Sequence, residues 1–328
     1  MRENSLHRKA LQCLEATIGI ESNRETLLPD LPCKREVKSL LTDFKDVIEI
    51  PYSHRLDGYV RVEDTGEKPS CVREGDRVRF QGPLQRLTQE ASDLRFSLWG
   101  NQGFLYRFII YLLEKKHRIY NFHACGLYDD RKDELFVIIG GAGSGKTVYL
   151  LSGLAKGLKL FSTETVHFRM DESGVTWYMG SLIDNIRWGT LIHDFPRFLP
   201  NEEPPKKGEE WQKKIAVDLC SYKASTEELK NPKSVIILFP RIEEGWKGFH
   251  LYPLNDRRKA SKALFDNVSQ KLTETVVLYD RLPILGFEEK VMAEARLESV
   301  TRLAHHNCVN RIATILSNPL HCWGDLLK

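Results

Sequence analysis

Lys146 and Thr147 close an eight-residue pattern, G-x-x-x-x-G-K-T, written here as Gly140, Gly141, Ala142, Gly143, Ser144, Gly145, Lys146 and Thr147. Residues of these types at this spacing suit one task, which is wrapping backbone N–H groups around a phosphate. The glycines at 140, 141, 143 and 145 are expected to admit positive φ, so that successive N–H groups point inward. An ammonium at 146 reaches the β- and γ-phosphates of a nucleoside triphosphate, and a hydroxyl at 147 can bind Mg²⁺. ATP and Mg²⁺ are therefore the expected cofactors. His123 and Glu164 are the titratable residues expected nearest this loop. His123 lies on a run that should pair with the strand leading into Gly140. Glu164 ends a second run, at the carboxyl edge where ligands collect in open α/β sheets. Transfer of a phosphoryl group to a hydroxyl needs a group that accepts or orients the proton, and the cation needs a carboxylate. His123 is the candidate for the first role, and Glu164, with Thr147, for the second. A satisfied inward histidine and a surface carboxylate are the plainer alternatives for these two positions.

The flanking elements are those such a loop requires. Five apolar residues, Leu135 to Ile139, read as a strand buried on both faces, and Val148, Leu151 and Leu154 recur at helical spacing behind the loop. Gly157 is a suitable left-handed stop. The run Ile119 to Tyr128 reads as a strand, joined to the loop strand by about six residues, where a parallel crossover needs a dozen or more. The two must pair antiparallel, so the expected fold class is α/β with a mixed sheet. Further strands are expected at Leu158–Phe161, Val166–Met170, Val175–Met179, Ile215–Leu219 and Val235–Phe239. Ser181 to Arg187 reads as the start of a helix, where Asp184 could supply a carboxylate but more simply serves as a helix N-terminal charge. Pro200 to Trp211 reads as a mobile loop. Arg241, Arg257 and Arg258 are candidates to neutralise phosphoryl charge.

Outside this core, residues 1–45 read as a small helical lead-in, with Leu11, Leu14 and Ile18 on one face and Val37, Leu40, Leu41 and Phe44 resuming the pattern. Residues 46–328 read as one domain: a β-rich part over 46–100 with a meander to Phe80 and a strand at Leu94–Leu98, a nucleotide-binding core over 118–255, and a helical C-terminal part over 256–328. Within it, Gly103 to His117 reads as a buried helix. Helices are also expected at Ala260–Leu272 and from Val291 to about Asn307, continuing to Ile315. Net charge is +3, from 48 basic and 45 acidic residues, a balance that does not point to nucleic acid. No apolar run of about 18 residues is present to span a bilayer, the charged N-terminus does not read as a signal peptide, and seven scattered cysteines fit reduced thiols. The expectation is a cytoplasmic protein with no nucleic-acid or membrane partner; self-association is left open.

A strand with F-H-A-x-G, a hairpin, the glycine-rich loop, and then helix, glycine and a strand ending in a polar cluster resembles the HPr kinase/phosphorylase family and its phosphoenolpyruvate carboxykinase-like P-loop relatives. The resemblance covers roughly Asn121 to Val166. It implies a mixed-sheet P-loop kinase core and phosphorylation of a serine-like hydroxyl on a small molecule, peptide or carrier protein. It puts Lys146 and Thr147 in their usual roles and His123 on the family's histidine. Thr163 and Glu164 fall where the family carries two aspartates, the first an acid/base group and the second an aid to Mg²⁺. A threonine has no useful pKa for the first role, and Gly141 also stands where the family often has an aspartate. The leading expectation is an ATP-dependent kinase, with His123, Lys146 and Glu164 as its catalytic residues. The alternative is a nucleotide-binding regulatory protein with little or no transferase activity. The segment LLSGL lies on the helix of the loop itself, which rules out the signature of transporter ATPases.

Overall fold

Leu14 and Glu15 turn the chain back on itself where a helix was expected. In the computed structural model, which describes residues 6–29, 43–141, 143–243 and 248–327, β1 (His7–Cys13) and β2 (Ala16–Ser22) form a hairpin with Cys13 opposite Ala16. The helical lead-in is therefore corrected over these residues. Leu11 and Ile18, seven apart, fit a helical stripe, but they face each other across the hairpin. The turn carries none of the usual glycine or asparagine; Leu14 itself takes the left-handed conformation (φ 50°). The expected continuation at Val37, Leu40 and Leu41 lies outside the described residues.

The described residues pack as two units, one from those up to 119 with 269–293 and the other from those of 120–268 with those from 294 onward. In the first unit, β3 (Ile48–Ile50), β4 (Gly58–Asp64), β5 (Ser70–Glu74) and β6 (Arg77–Gly82) complete a sheet of order β3-β1-β2-β4-β6-β5. Alternation along β4 and β6 buries Val60, Val62, Val78 and Phe80 and exposes Arg61, Arg77 and Arg79, as their period of two predicts. Only β5–β6 is an up-and-down pair here; β2–β4 and β4–β6 run parallel, so the region is not a meander. After α1 (Leu84–Glu90), residues Leu94–Phe96 form a 3₁₀ turn in place of the expected strand, because the Asp93 side chain accepts from the Arg95 N–H. Helix α2 (Phe104–His117) is buried from Phe104 to Glu114, matching its apolar circumference.

The second unit holds the loop. Its strands are β7 (Ile119–Asp129), β8 (Glu134–Ile139), β9 (Lys159–Ser162), β10 (Thr165–Asp171), β11 (Gly174–Tyr178), β12 (Ile183–Arg187), β13 (Lys214–Asp218), β14 (Glu228–Lys230), β15 (Ser234–Ile242) and β16 (Phe249–Pro253). Helix α3 (Lys146–Ala155) follows the loop, and α4 (Arg257–Thr273) passes into the first unit, which contains β17 (Val276–Leu278) and β18 (Leu282–Ile284). The chain returns through α5 (Lys290–Ala304) to β19 (Val309–Ser317) and α6 (Pro319–Leu326). The main sheet runs β14-β11-β10-β7-β8-β15-β19-β16, with β9 also on β7. As the short connection requires, β7 and β8 are antiparallel, while β8–β15 and β15–β19 are parallel. The sheet is mixed.

Alternate residues of β8 feed two cores. Leu135, Val137 and Ile139 pack with α4 and α5 through Leu264, Val268, Val300 and Leu303. Phe136 and Ile138 pack with α3 and α6 through Tyr149, Leu150, Leu154 and Trp323. The Trp323 indole N–H donates to the Tyr149 carbonyl at 3.0 Å and to Ser152 Oγ at 2.9 Å, which ties α6 to α3. The expected helical continuation to Ile315 is corrected: α5 stops at Ala304, and β19 is an inner strand between β15 and β16. Its β-branched residues pack well on the pleat once β15 offers a partner. The segment from Ser181 is likewise not helix; its residues Ile183–Arg187 are β12, which pairs with β13 in a two-stranded ribbon outside the main sheet. The insert between those strands is anchored at its ends, with Gly189 N–H donating to Glu210 O at 2.8 Å and the Trp211 ring stacked on His193. Among the described residues no helix is long and apolar enough to cross a membrane.

Candidate functional site

The loop between β8 and α3 takes its shape from two of its four glycines. Gly143 (φ 80°) and Gly145 (φ 90°) are left-handed, whereas Gly140 and Gly141 are not, contrary to the expectation for all four. Gly140 is required for space instead: a Cβ there would lie 2.3 Å from Ser144 Oγ. At Gly141 the same atom would meet open space. Ala142 lies outside the described residues. Helix α3 starts at Lys146 with Gly145 as its N-cap and no side-chain capping bond, so the positive end of its dipole faces the loop. Ser144 Oγ is buried and has no hydrogen-bond partner among the described residues.

Backbone bonds tie the three predicted chemical residues to this loop. Gly140 N–H donates to the His123 carbonyl at 3.2 Å, and Ala124 N–H donates to the Glu164 carbonyl at 3.0 Å. His123 N–H in turn donates to Asn267 Oδ1 at 3.0 Å. Adjacent strands thus deliver the side chains to one point. Lys146 Nζ donates to Gly140 O at 2.7 Å and to Gly141 O at 3.2 Å. It also lies 3.2 Å from His123 Nε2, and the same nitrogen lies 3.3 Å from Glu164 Oε2. An ammonium only donates and a carboxylate only accepts, so Nε2 can satisfy one of these partners at a time. With Nε2 bare the lysine is its partner; with Nε2 protonated the glutamate is. Burial pushes the Glu164 carboxyl up, but the His123 hydrogen bond and the charges of Lys146, His123 and Lys214 outweigh it and hold the group below its ordinary value. Its side chain is 29% exposed, open enough to meet a ligand.

Asp184 joins this cluster, although a helix N-terminal charge seemed the simpler reading. It lies within β12, 1% exposed. Burial, and then the negative charge of Glu164, raise its carboxyl to about 7. The Thr147 hydroxyl and the charges of Lys146 and Lys214 act the other way. The Thr147 contact is weak, since neither Asp184 oxygen meets strict hydrogen-bond geometry with any described residue. The burial of β12 alternates, with Asp184 and Ile186 on the buried side, but Ile183 and Ile186 are three apart and gave no period-two signal in the sequence. Lys214, opposite Arg187 on β13, carried no such signal. Thr163, at the position where an acid was missing, is a structural residue: its hydroxyl bonds with Ser181 O at 3.2 Å and Ile183 O at 2.8 Å. Arg241 lies between Pro240 and Ile242, which both approach the loop glycines, and it is exposed. Arg257 and Arg258 are exposed at the start of α4.

These residues fit a phosphate chain with a divalent cation. Ser144 Oγ, which a Cβ at Gly140 would strike, is a buried hydroxyl with no hydrogen-bond partner among the described residues, and Lys146 supplies a positive charge. Thr147, Glu164 and Asp184 offer oxygen only, the donor set preferred by Mg²⁺. Among the described residues no group of three or more His, Cys, Asp or Glu is arranged to hold a metal. Cys125, buried beneath the loop with its Sγ 3.5 Å from the Lys146 carbonyl, has its thiol pushed up by burial and is held unreactive. No protein-family model matches this sequence, and no curated protein matches it.

Proposed function

We propose that this protein is an ATP-dependent phosphotransferase of the HPr kinase-like P-loop type, acting with Mg²⁺ on a hydroxyl of a small molecule, peptide or protein. The observation that supports it most is the convergence at the glycine loop of Lys146 Nζ and Glu164 Oε2 on His123 Nε2, at 3.2 and 3.3 Å. Bound MgATP would supply the transferable phosphoryl group. The loop N–H groups and Lys146 hold the phosphates, and Thr147 and Glu164 hold the cation. Lys146 cannot serve both its loop carbonyls and a phosphate chain without turning outward. That movement frees His123 Nε2 either to pair with Glu164 or to accept the proton of the acceptor hydroxyl.

One observation favours the alternative, a nucleotide-binding regulator with little transferase activity: the Thr163 hydroxyl is taken up by backbone carbonyls, leaving no acid where the family carries its base. Calorimetry and a transfer assay separate the readings. Lys146→Met keeps the buried stem and removes the charge, so ATP affinity should fall at least tenfold, about 1.4 kcal/mol. Unchanged ATP binding in that variant refutes both readings. Normal ATP binding by the wild type, with no transfer to any of a panel of free amino acids, sugars and serine peptides, favours the regulator.

A further inference from the structure

Asp184 is a site carboxylate whose burial the groups around it only partly offset. It is 1% exposed, and neither oxygen has a hydrogen-bond partner among the described residues. The nearby hydroxyls are turned elsewhere: Thr163 Oγ1 and Ser181 Oγ both donate to the Ile183 carbonyl, at 2.8 and 2.9 Å. A carboxylate buried without donors is strongly unfavourable unless it is paired, neutralised or bound to a metal. Its surroundings are those of a cation ligand. The Thr147 hydroxyl and the Glu164 carboxylate are its interaction partners, and Lys214 brings positive charge from the same ribbon. Two carboxylates and a hydroxyl make an all-oxygen set carrying the charge that a divalent cation balances.

We propose that Asp184 supplies a carboxylate oxygen to the divalent cation bound by Thr147 and Glu164, so that the β12–β13 ribbon completes the metal site. This rests on the nucleotide-binding reading above. The ribbon lies outside the main sheet but packs against it through Ile186, Ile215 and Val217, so the third oxygen comes from a separate element. Cation binding then ties the ribbon to the glycine loop.

The test uses the full-length protein and Mn²⁺, read by electron paramagnetic resonance, with and without ADP. Asp184→Asn, isosteric and uncharged, should weaken Mn²⁺ binding at least tenfold in the presence of ADP while leaving ADP affinity in excess chelator unchanged. Equal Mn²⁺ affinity in the two proteins overturns the proposal and leaves the nucleotide reading standing. Wild type that binds Mn²⁺ through Asp184 but no ADP overturns the nucleotide reading alone; wild type that binds neither overturns both. A second measurement needs no substitution. Fe²⁺ in place of Mn²⁺, with ascorbate and peroxide, cuts backbone next to its ligands, and mass spectrometry should find breaks beside residues 147, 164 and 184. Breaks at the first two without the third overturn the assignment.

Discussion

Replacing Gly145 with alanine tests the loop geometry directly, because its two costs can be separated. The residue sits at φ 90°, where an L side chain costs roughly 1–2 kcal/mol. The new Cβ would also lie 2.1 Å from Ile242 Cδ1. That atom is the far end of a side chain that is 41% exposed, so the clash is relieved by a rotamer shift costing about 1 kcal/mol. The expected destabilisation is therefore about 2–3 kcal/mol, half or more of it backbone strain. If the loop relaxes instead of bearing the strain, the loss appears in ATP affinity, at about tenfold per 1.4 kcal/mol. Urea denaturation and calorimetry on Gly145→Ala, Ile242→Ala and the double variant form a cycle that isolates the contact. Ile242→Ala should return less than half of the loss. If it returns all of it, the clash and not the left-handed backbone makes glycine necessary. If Gly145→Ala changes neither stability nor ATP affinity, the loop does not have this shape.

His123→Ala should lower kcat about a hundredfold while nearly preserving ATP affinity, a size typical of a lost acid–base group; a wild-type kcat and pH profile in this variant would remove the histidine from the chemistry and turn attention to Glu164. Buried His167 on β10 gives a pH prediction: burial lowers its imidazole from 6.5 to about 4, so the folded protein holds it neutral where the unfolded chain binds a proton. Its contribution is complete above pH 6.5 and shrinks as pH falls toward 4, by about 2 kcal/mol between pH 6.5 and 5. Urea titrations of wild type and His167→Gln at pH 7 and 5 should differ in slope by this amount, and parallel pH dependence would show that His167 is not the titrating group.

The loop and its flanks were legible because their geometry is local. An apolar run bounded by glycines, a lysine and a threonine fix strand, turn and helix N-terminus within about twenty residues, and a six-residue connection left β7 and β8 no choice but to pair antiparallel. The two buried parities of β8 follow from the same run. Segments whose state depends on distant partners were misread. Leu11 and Ile18 satisfy a helical spacing as well as a strand pairing, and only the neighbouring β3 and β4 decide between them. Val309 to Ser317 continues a helical pattern until β15 and β16 present edges on both sides. Asp184 illustrates the division most clearly. The sequence by itself determined that a glycine-rich loop with a lysine and a hydroxyl joins β8 to α3 and that His123 and Glu164 flank it. Whether Asp184 is a solvated helix-start charge or a buried carboxylate beside Thr147 depended on β13, some thirty residues further on, pairing with β12. A charge's cost is set by the dielectric and the donors around it, and those come from tertiary neighbours rather than from sequence position.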